Sequence, residues 1–181
     1  MIFKISLFPS KKQKNAEKLY ARLVEQARRP GFYLQYDVPD SPEGRFDMIA
    51  MHTFLVMRRL KQGDDDAHRF SQLLFDCMFK DMDMNLREMG VGDLKVGKRV
   101  KKMAESFYGR IHAYNNALED TDGNMLMEAL KRNLYADMED VSQNSLTGMA
   151  SYMRHQWKHL EAEPIDPLTK GEVTFAAFED I

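Results

Sequence analysis

The 181-residue sequence predicts an all-α fold: a single-domain bundle of about six helices (residues 13–163), with an irregular N-terminal arm (1–12) and C-terminal tail (164–181). Three observations point there. The six prolines fall at Pro9, Pro30, Pro39, Pro42, Pro164 and Pro167, so residues 43–163 lack the residue that costs about 3 kcal/mol inside a helix. Apolar residues recur every three or four positions through that stretch. The length suits one core and is short for two.

Each element has its own local signal. Ala16, Leu19, Tyr20, Leu23, Val24 and Ala27 mark a first helix that stops at Pro30-Gly31. Phe46, Ile49, Ala50, Thr53, Met57 and Leu60 mark a second, started by Asp40 or Ser41 as cap, Pro42 in the first turn and Glu43 at the positive end of the dipole. Gln62 to Asp66 break the chain and cap a third helix carrying Phe70, Leu73, Leu74, Cys77 and Met78, which extends through Leu86 to a left-handed stop at Gly90. The fourth is the most regular, from Val96 and Val100 through Phe107, Ile111 and Tyr114 to Leu118, with Gly109 suggesting a close helix crossing. A turn at Thr121–Asn124 precedes a short helix with Leu126, Leu130 and Leu134. A last helix over 144–162 carries Leu146, Met149, Met153, Trp157 and Leu160. Phe3, Ile5 and Leu7 suit an ordered arm, pairing as a strand with Val173 to Phe178, or a membrane-surface toe with Lys11, Lys12 and Lys14 behind it.

Composition narrows the function classes. Twenty-eight acidic against 26 basic residues gives a net charge of −2, which argues against a globally basic binder of DNA or RNA. One cysteine, Cys77, leaves no internal disulfide and no Cys-based zinc site. No apolar run approaches the roughly 20 residues of a bilayer span. The apolar start has the wrong order of charge for a signal peptide and lacks the arginines of a transit peptide.

Candidate chemistry fails its own geometric requirements. Gly92 to Lys98 has the glycine and lysine spacing of a phosphate loop, but Arg99 stands where a hydroxyl should hold magnesium, and a helix, not a strand, leads into it. His155 and His159 have the i, i+4 spacing of metal ligands, yet Gln156 replaces the expected Glu beside the first. Asp64, Asp65 and Asp66 fit a cap better than a magnesium motif, since His68 occupies the position of the further carboxylate. Asp76, Asp81, Asp83 and Glu88 are not spaced to converge on one face. No catalytic residue, metal or cofactor is assigned. An alternative keeps a haem or isoprenoid in an internal pocket, with His52 and His112 as the histidines best placed to ligate haem.

Two features favour binding. Lys95, Lys98, Arg99, Lys101 and Lys102, joined by Arg110, give the fourth helix a basic face that is either solvated surface or a contact for phosphates and acidic lipid. Methionine is abundant, 14 residues, and Met48, Met51, Met78, Met82, Met84, Met89 and Met103 all fall in 46–103. Unbranched thioethers fill cores, and they also line adaptable apolar grooves.

Long strings of the chain resemble one family. Phe32-Tyr33, Val38-Pro39-Asp40, Gly44-Arg45-Phe46-Asp47-Met48 and Leu60 are followed by Gln72 to Asp76, Phe79, Asp81-Met82-Asp83, Leu86 to Asp93, Val96 to Met103 and Phe107 to Arg110. Over residues 19–160 these resemble the ubiquinol–cytochrome c chaperone family, with Ser41-Pro42 departing from its pattern at the helix cap. The resemblance implies a non-catalytic assembly factor for the cytochrome bc1 complex that holds newly made cytochrome b. Mitochondrial relatives act beside a small partner protein near the ribosome. It further implies a bacterial member, cytoplasmic or peripheral at the cytoplasmic face of the inner membrane. On this basis client contact is expected around Phe32, Tyr33, Phe46, Phe75, Phe79, Met82, Leu86 and Tyr108. Arg45, Arg58, Arg87, Arg110, Asp81 and Asp83 would set orientation at the rim, some of the whole set belonging to the core or to internal ion pairs. Lys95, Lys98, Arg99, Lys101 and Lys102 would meet the ribosome or an anionic membrane.

Overall fold

The computed structural model describes residues 9–177, so the strand expected from the arm and from Phe178 lies outside the described residues. Eight helical segments are present among them: α1 (Lys11–Ala27), α2 (Pro30–Gln35), α3 (Pro42–Leu60), α4 (Asp65–Glu88), α5 (Asp93–Glu119), α6 (Asn124–Asn133), α7 (Gln143–Ala162) and the single turn α8 (Asp166–Thr169). The described residues form no strand, and 172–177 run without regular secondary structure.

Caps fix the boundaries. Ser10, Ser41, Asp64 and Ser142 each turn a side-chain oxygen onto the third backbone N–H beyond them, satisfying a donor the helix leaves open. Pro30 both ends α1 and opens α2 at a position where no N–H is needed, so the expected stop is also a start.

The organising element is α3. Every residue from Met48 to Met57 is buried, so this helix is enclosed on all sides rather than amphipathic. It packs on α1, α4 and α7, while the outer helices meet in the order α1, α4, α5, α6, α7 around it. That enclosure corrects the methionine reading. Met48 and Met51 lie beside the apolar stripe of their helix, yet they are core because α3 has no outer face from Met48 to Met57; Met78 and Met82 of α4 are core as well. Gly109 is a second correction: no atom lies within 4 Å of where its Cβ would be, so it marks no helix crossing. The close approaches are elsewhere. A Cβ on Gly148 of α7 would overlap the Tyr36 ring, and one on Gly44 would overlap the Pro39 carbonyl.

Candidate functional site

The α4–α5 corner is built by backbone chemistry. Gly90 takes a left-handed conformation (φ 79°), its N–H donates to the Arg87 carbonyl at 2.9 Å, and the Val91 N–H donates to Leu86 at 3.0 Å. Both bonds cap the last open carbonyls of α4 and reverse the chain. Arg87 then pins the corner from outside, donating to Asp83 one turn back at 2.5 Å and to Asp93 across the turn. The Arg87 guanidinium holds the Asp83 carboxyl below the usual range.

On this hairpin an aromatic ladder runs from core to solvent. Phe79 and Phe107 are buried with ring centres 6.0 Å apart. Phe75, half-buried, stacks on Phe79 at 4.6 Å and on Tyr108 at 5.6 Å. Tyr108 is 57 % exposed, and Met84 (50 %), Met89 (60 %) and Leu94 (92 %) add apolar surface on the same two helices and the turn between them. Leu86 is half-buried under the turn. Lys95, Lys98, Arg99, Lys101 and Lys102 are all exposed along the first half of α5. Among the described residues only Lys101 of these five has a carboxylate within 4 Å, Glu105 at 3.9 Å.

Other residues expected at the client surface lie inside. Phe32, Phe46, Phe79 and Met82 are core residues and present no face to a partner. Phe32 packs edge-on to Tyr152 at 4.9 Å, and Phe46 lies under the Arg110 guanidinium at 5.7 Å. Arg110 is no rim residue: with 12 % of its side chain exposed, it donates to the equally buried Asp47 at 2.6 Å, tying α5 to α3. Arg58 lies over the Trp157 ring at 4.6 Å and donates to Asn115 at 2.5 Å. Asp81 accepts from the Tyr20 hydroxyl at 2.7 Å, and burial with this bond pushes the phenol pKa well up. Tyr33 donates to the Ala27 carbonyl at 2.9 Å, joining α2 to the end of α1. Arg45 is exposed and pairs with Asp40 at 2.7 Å. Of the expected set, Phe75, Leu86, Asp83, Arg87 and Tyr108 lie on one hairpin and keep some exposure there, with Phe79 buried beneath Phe75.

The candidate metal and cofactor groups have other employment. His52 is fully buried with both ring nitrogens engaged, Nδ1 with the Met48 carbonyl at 2.8 Å and Nε2 with the Tyr152 hydroxyl at 2.7 Å. A carbonyl only accepts, so Nδ1 carries the proton and Nε2 accepts from Tyr152, which in turn accepts from Gln26 at 2.9 Å. Burial lowers the His52 pKa to about 4 and keeps the ring neutral. Neither nitrogen is open to haem iron. His112 is exposed beside Asn116. Asp64 caps α4, and Asp66 accepts from Lys12 and Arg69. Gly97 sits within α5, so Gly92–Lys98 forms no loop for a phosphate. Cys77 is buried, and burial pushes its thiol up. Among the described residues no three His, Cys, Asp or Glu side chains converge to hold a metal ion, and no helix is long and apolar enough to cross a membrane.

Sequence reasoning missed the Asp47–Arg110 pair, the Gln26–Tyr152–His52 chain and a bidentate contact of Gln156 with Ala176, because each joins residues far apart in sequence. Tyr36 is a further case. Its carbonyl accepts from Tyr135 at 2.6 Å, beside Asp37 in a left-handed conformation (φ 53°) that takes the Ser145 hydroxyl at 2.6 Å.

Comparison with known proteins agrees with the architecture. Residues 34–175 match the family model described as ubiquinol–cytochrome C chaperone. The chain is 27% identical to mouse ubiquinol–cytochrome c reductase complex assembly factor 1 over 160 residues, which is 87% of this chain and 53% of that protein. It is 25% identical to the Xenopus laevis protein of the same name, covering 88% of this chain and 80% of the relative. It thus spans about half the length of the mouse relative and most of the frog one. The crystal structure of the Cbp3 homolog from Brucella abortus superposes with a TM-score of 0.83 at 33% identity, covering 94% of this chain and 93% of the other. The chain belongs to the ubiquinol–cytochrome c chaperone family.

Proposed function

We propose that this protein is a non-catalytic assembly chaperone for the cytochrome bc1 complex, and that its client is immature cytochrome b. The observation that carries the reading is the set of exposed apolar side chains on the α4–α5 hairpin, Met84, Met89, Leu94 and Tyr108, which shares these helices with the Asp83–Arg87–Asp93 cluster and the basic row from Lys95 to Lys102. The names of the relatives, assembly factors of ubiquinol–cytochrome c reductase, support it. A partly made membrane protein displays apolar helix faces, and these side chains can cover part of one. Shielding roughly 400 Å² is worth on the order of 10 kcal/mol before association costs of similar size, which suits a grip that must be released. The basic row would hold the corner against an anionic membrane, where each Lys or Arg contributes about 1 kcal/mol, or against ribosomal RNA. The working place would then be the cytoplasmic face of the membrane that receives cytochrome b.

Photo-crosslinking residues placed singly at Met84, Met89 and Tyr108 test this in cells. Capture of cytochrome b at these positions, and none from the exposed Lys158 on α7, is the expected result. No capture from any hairpin position by a folded, normally abundant protein would remove the client surface from this hairpin.

A further inference from the structure

Beyond the hairpin, on the other side of the bundle, residues 172–177 lie across the groove between α1, α3 and α7 as a ligand would. Exposure alternates as in an extended strand: Glu172 and Thr174 face out, Val173 and Phe175 turn in. The Phe175 ring stands edge-on against His52 with centres 5.4 Å apart, closing the Gln26–Tyr152–His52 chain from above. One residue on, the fully buried Gln156 reads the backbone with both ends of its amide. Its Nε2 donates to the Ala176 carbonyl at 3.1 Å, and its Oε1 accepts the Ala176 N–H at 2.9 Å. A buried amide with both ends turned to the main-chain N–H and carbonyl of one residue recognises main chain and is indifferent to the side chain there. Around it the attachments are slight: Lys18 with Glu172 at 3.2 Å and His159 with Thr174 at 3.3 Å, both exposed. Exposed contacts of this kind contribute little. The tail also leaves the groove unfilled. A space of about 440 Å³ opens beside Val173 and Phe175, over Gln26 and between Arg22 and Arg29.

We propose that the groove between α1, α3 and α7 is a binding site for an extended peptide segment with alternating apolar side chains, and that the chain's own tail fills it in cis as a displaceable strap. The occupant in trans is such a segment of a partner polypeptide. The tail supplies its template: two inward apolar residues at alternate positions, then the main-chain N–H and carbonyl of the next residue for Gln156. With the strap out, the Gln156 amide loses both main-chain bonds, and an extended segment that restores them also returns two apolar side chains to the groove. This inference does not depend on the client assignment for the hairpin.

The test uses the full-length chain and a fluorescent peptide of the sequence of residues 171–177. Phe175→Asp expels the inward ring from its apolar floor and frees the groove. Anisotropy should show the peptide binding Phe175→Asp at least tenfold tighter than the wild-type chain. Adding Gln156→Ala should abolish that gain. Equal binding by wild type and a folded Phe175→Asp chain overturns the proposal. So does a wild-type dimer that Phe175→Asp dissociates, because the groove then takes a second copy's tail. Wild-type hydrogen exchange gives a reading that needs no variant: the Ala176 amide should exchange at least a hundredfold faster than the slowest amides of α3 and α7. Exchange of Ala176 only at the rate of those core amides would make the strap a permanent part of the fold and refute the idea.

Discussion

The buried His52 makes acid stability the most direct probe of the core. In the unfolded chain its imidazole takes a proton near pH 6.5, whereas in the fold burial delays protonation to about pH 4. The unfolded state therefore binds the extra proton first as pH falls. Stability is lost across the window from about 6.5 down to about 4, and is fully present above it. A depression of this size corresponds to about 3 kcal/mol between about pH 7 and about pH 4. Asp47 works in the opposite direction. Burial raises its carboxyl from 3.8 to about 7 against the pull of Arg110, so its contribution grows as pH falls through the same window. A wild-type pH profile mixes both, and a variant separates them. His52→Gln keeps a polar group able to meet either the Met48 carbonyl or Tyr152, but it cannot titrate. Urea denaturation followed by emission of Trp157, the sole and buried tryptophan, gives the free energy at each pH. The variant should be less stable at neutral pH by about 1–3 kcal/mol for the lost hydrogen bond. Its acid loss should be smaller than that of the wild type by about 3 kcal/mol. Equal acid losses in the two proteins would show that His52 is protonated in the folded state, and the directed chain from Gln26 to Met48 would be wrong.

Four further outcomes follow from the packing and surfaces described above. Gly109→Ala and Gly97→Ala, both on exposed helix surface with no neighbour near the added methyl, should each stabilise by about 0.5–1 kcal/mol in thermal unfolding. Gly148→Ala should instead cost about 1–3 kcal/mol, because its methyl meets the Tyr36 ring. Removing Asp47 strands the buried Arg110 cation and should cost about 3–5 kcal/mol, whereas Asp47→Leu with Arg110→Met should cost less, a non-additivity that a double-mutant cycle reads directly. Replacing Lys98, Arg99, Lys101 and Lys102 by Glu should leave the melting temperature nearly unchanged, yet lower co-sedimentation with vesicles of anionic lipid at least tenfold at low salt; unchanged co-sedimentation would retire the membrane role of this face.

The parts legible in the sequence are those with a local physical cause. Ser41-Pro42, Asp64 and Gly90 each determine a helix end through one cap or one positive φ, and the structure places the ends of α3 and α4 there. Where the cause is long-range, reading fails. α2 buries only Phe32, too little to leave a periodic signal in six residues. From Met48 to Met57 α3 has no outer face, so its methionines off the stripe look exposed when they are enclosed. Gly109 and Gly148 are indistinguishable as letters, and only the packing shows that the second touches a ring and the first touches nothing.

The same distinction bears on the family resemblance. The strings that carry it, Gly44 to Met48 and Phe107 to Arg110, meet in space as the Asp47–Arg110 pair with Phe46 beneath it. Charges this deeply buried are expensive to keep, and replacing such a pair by apolar residues is often neutral or stabilising. Their presence in the strings is accounted for by the joint they make between α3 and α5, with no partner involved. Membership in a string therefore does not locate a docking surface. The residues that are both in the strings and turned outward form a shorter set, which on the hairpin includes Arg87, Met89, Asp93, Tyr108 and the basic residues from Lys98 to Lys102, and elsewhere includes Arg45, Gln72 and Asp76. The buried pair ties the α5 segment near Tyr108 to α3, while at the other end of the hairpin the exposed Arg87 reaches Asp83 and Asp93 across the turn. On the function proposed, selectivity would come from the exposed Tyr108, Met89 and Leu94 and from the charged groups beside them, with the buried residues of the strings serving the fold.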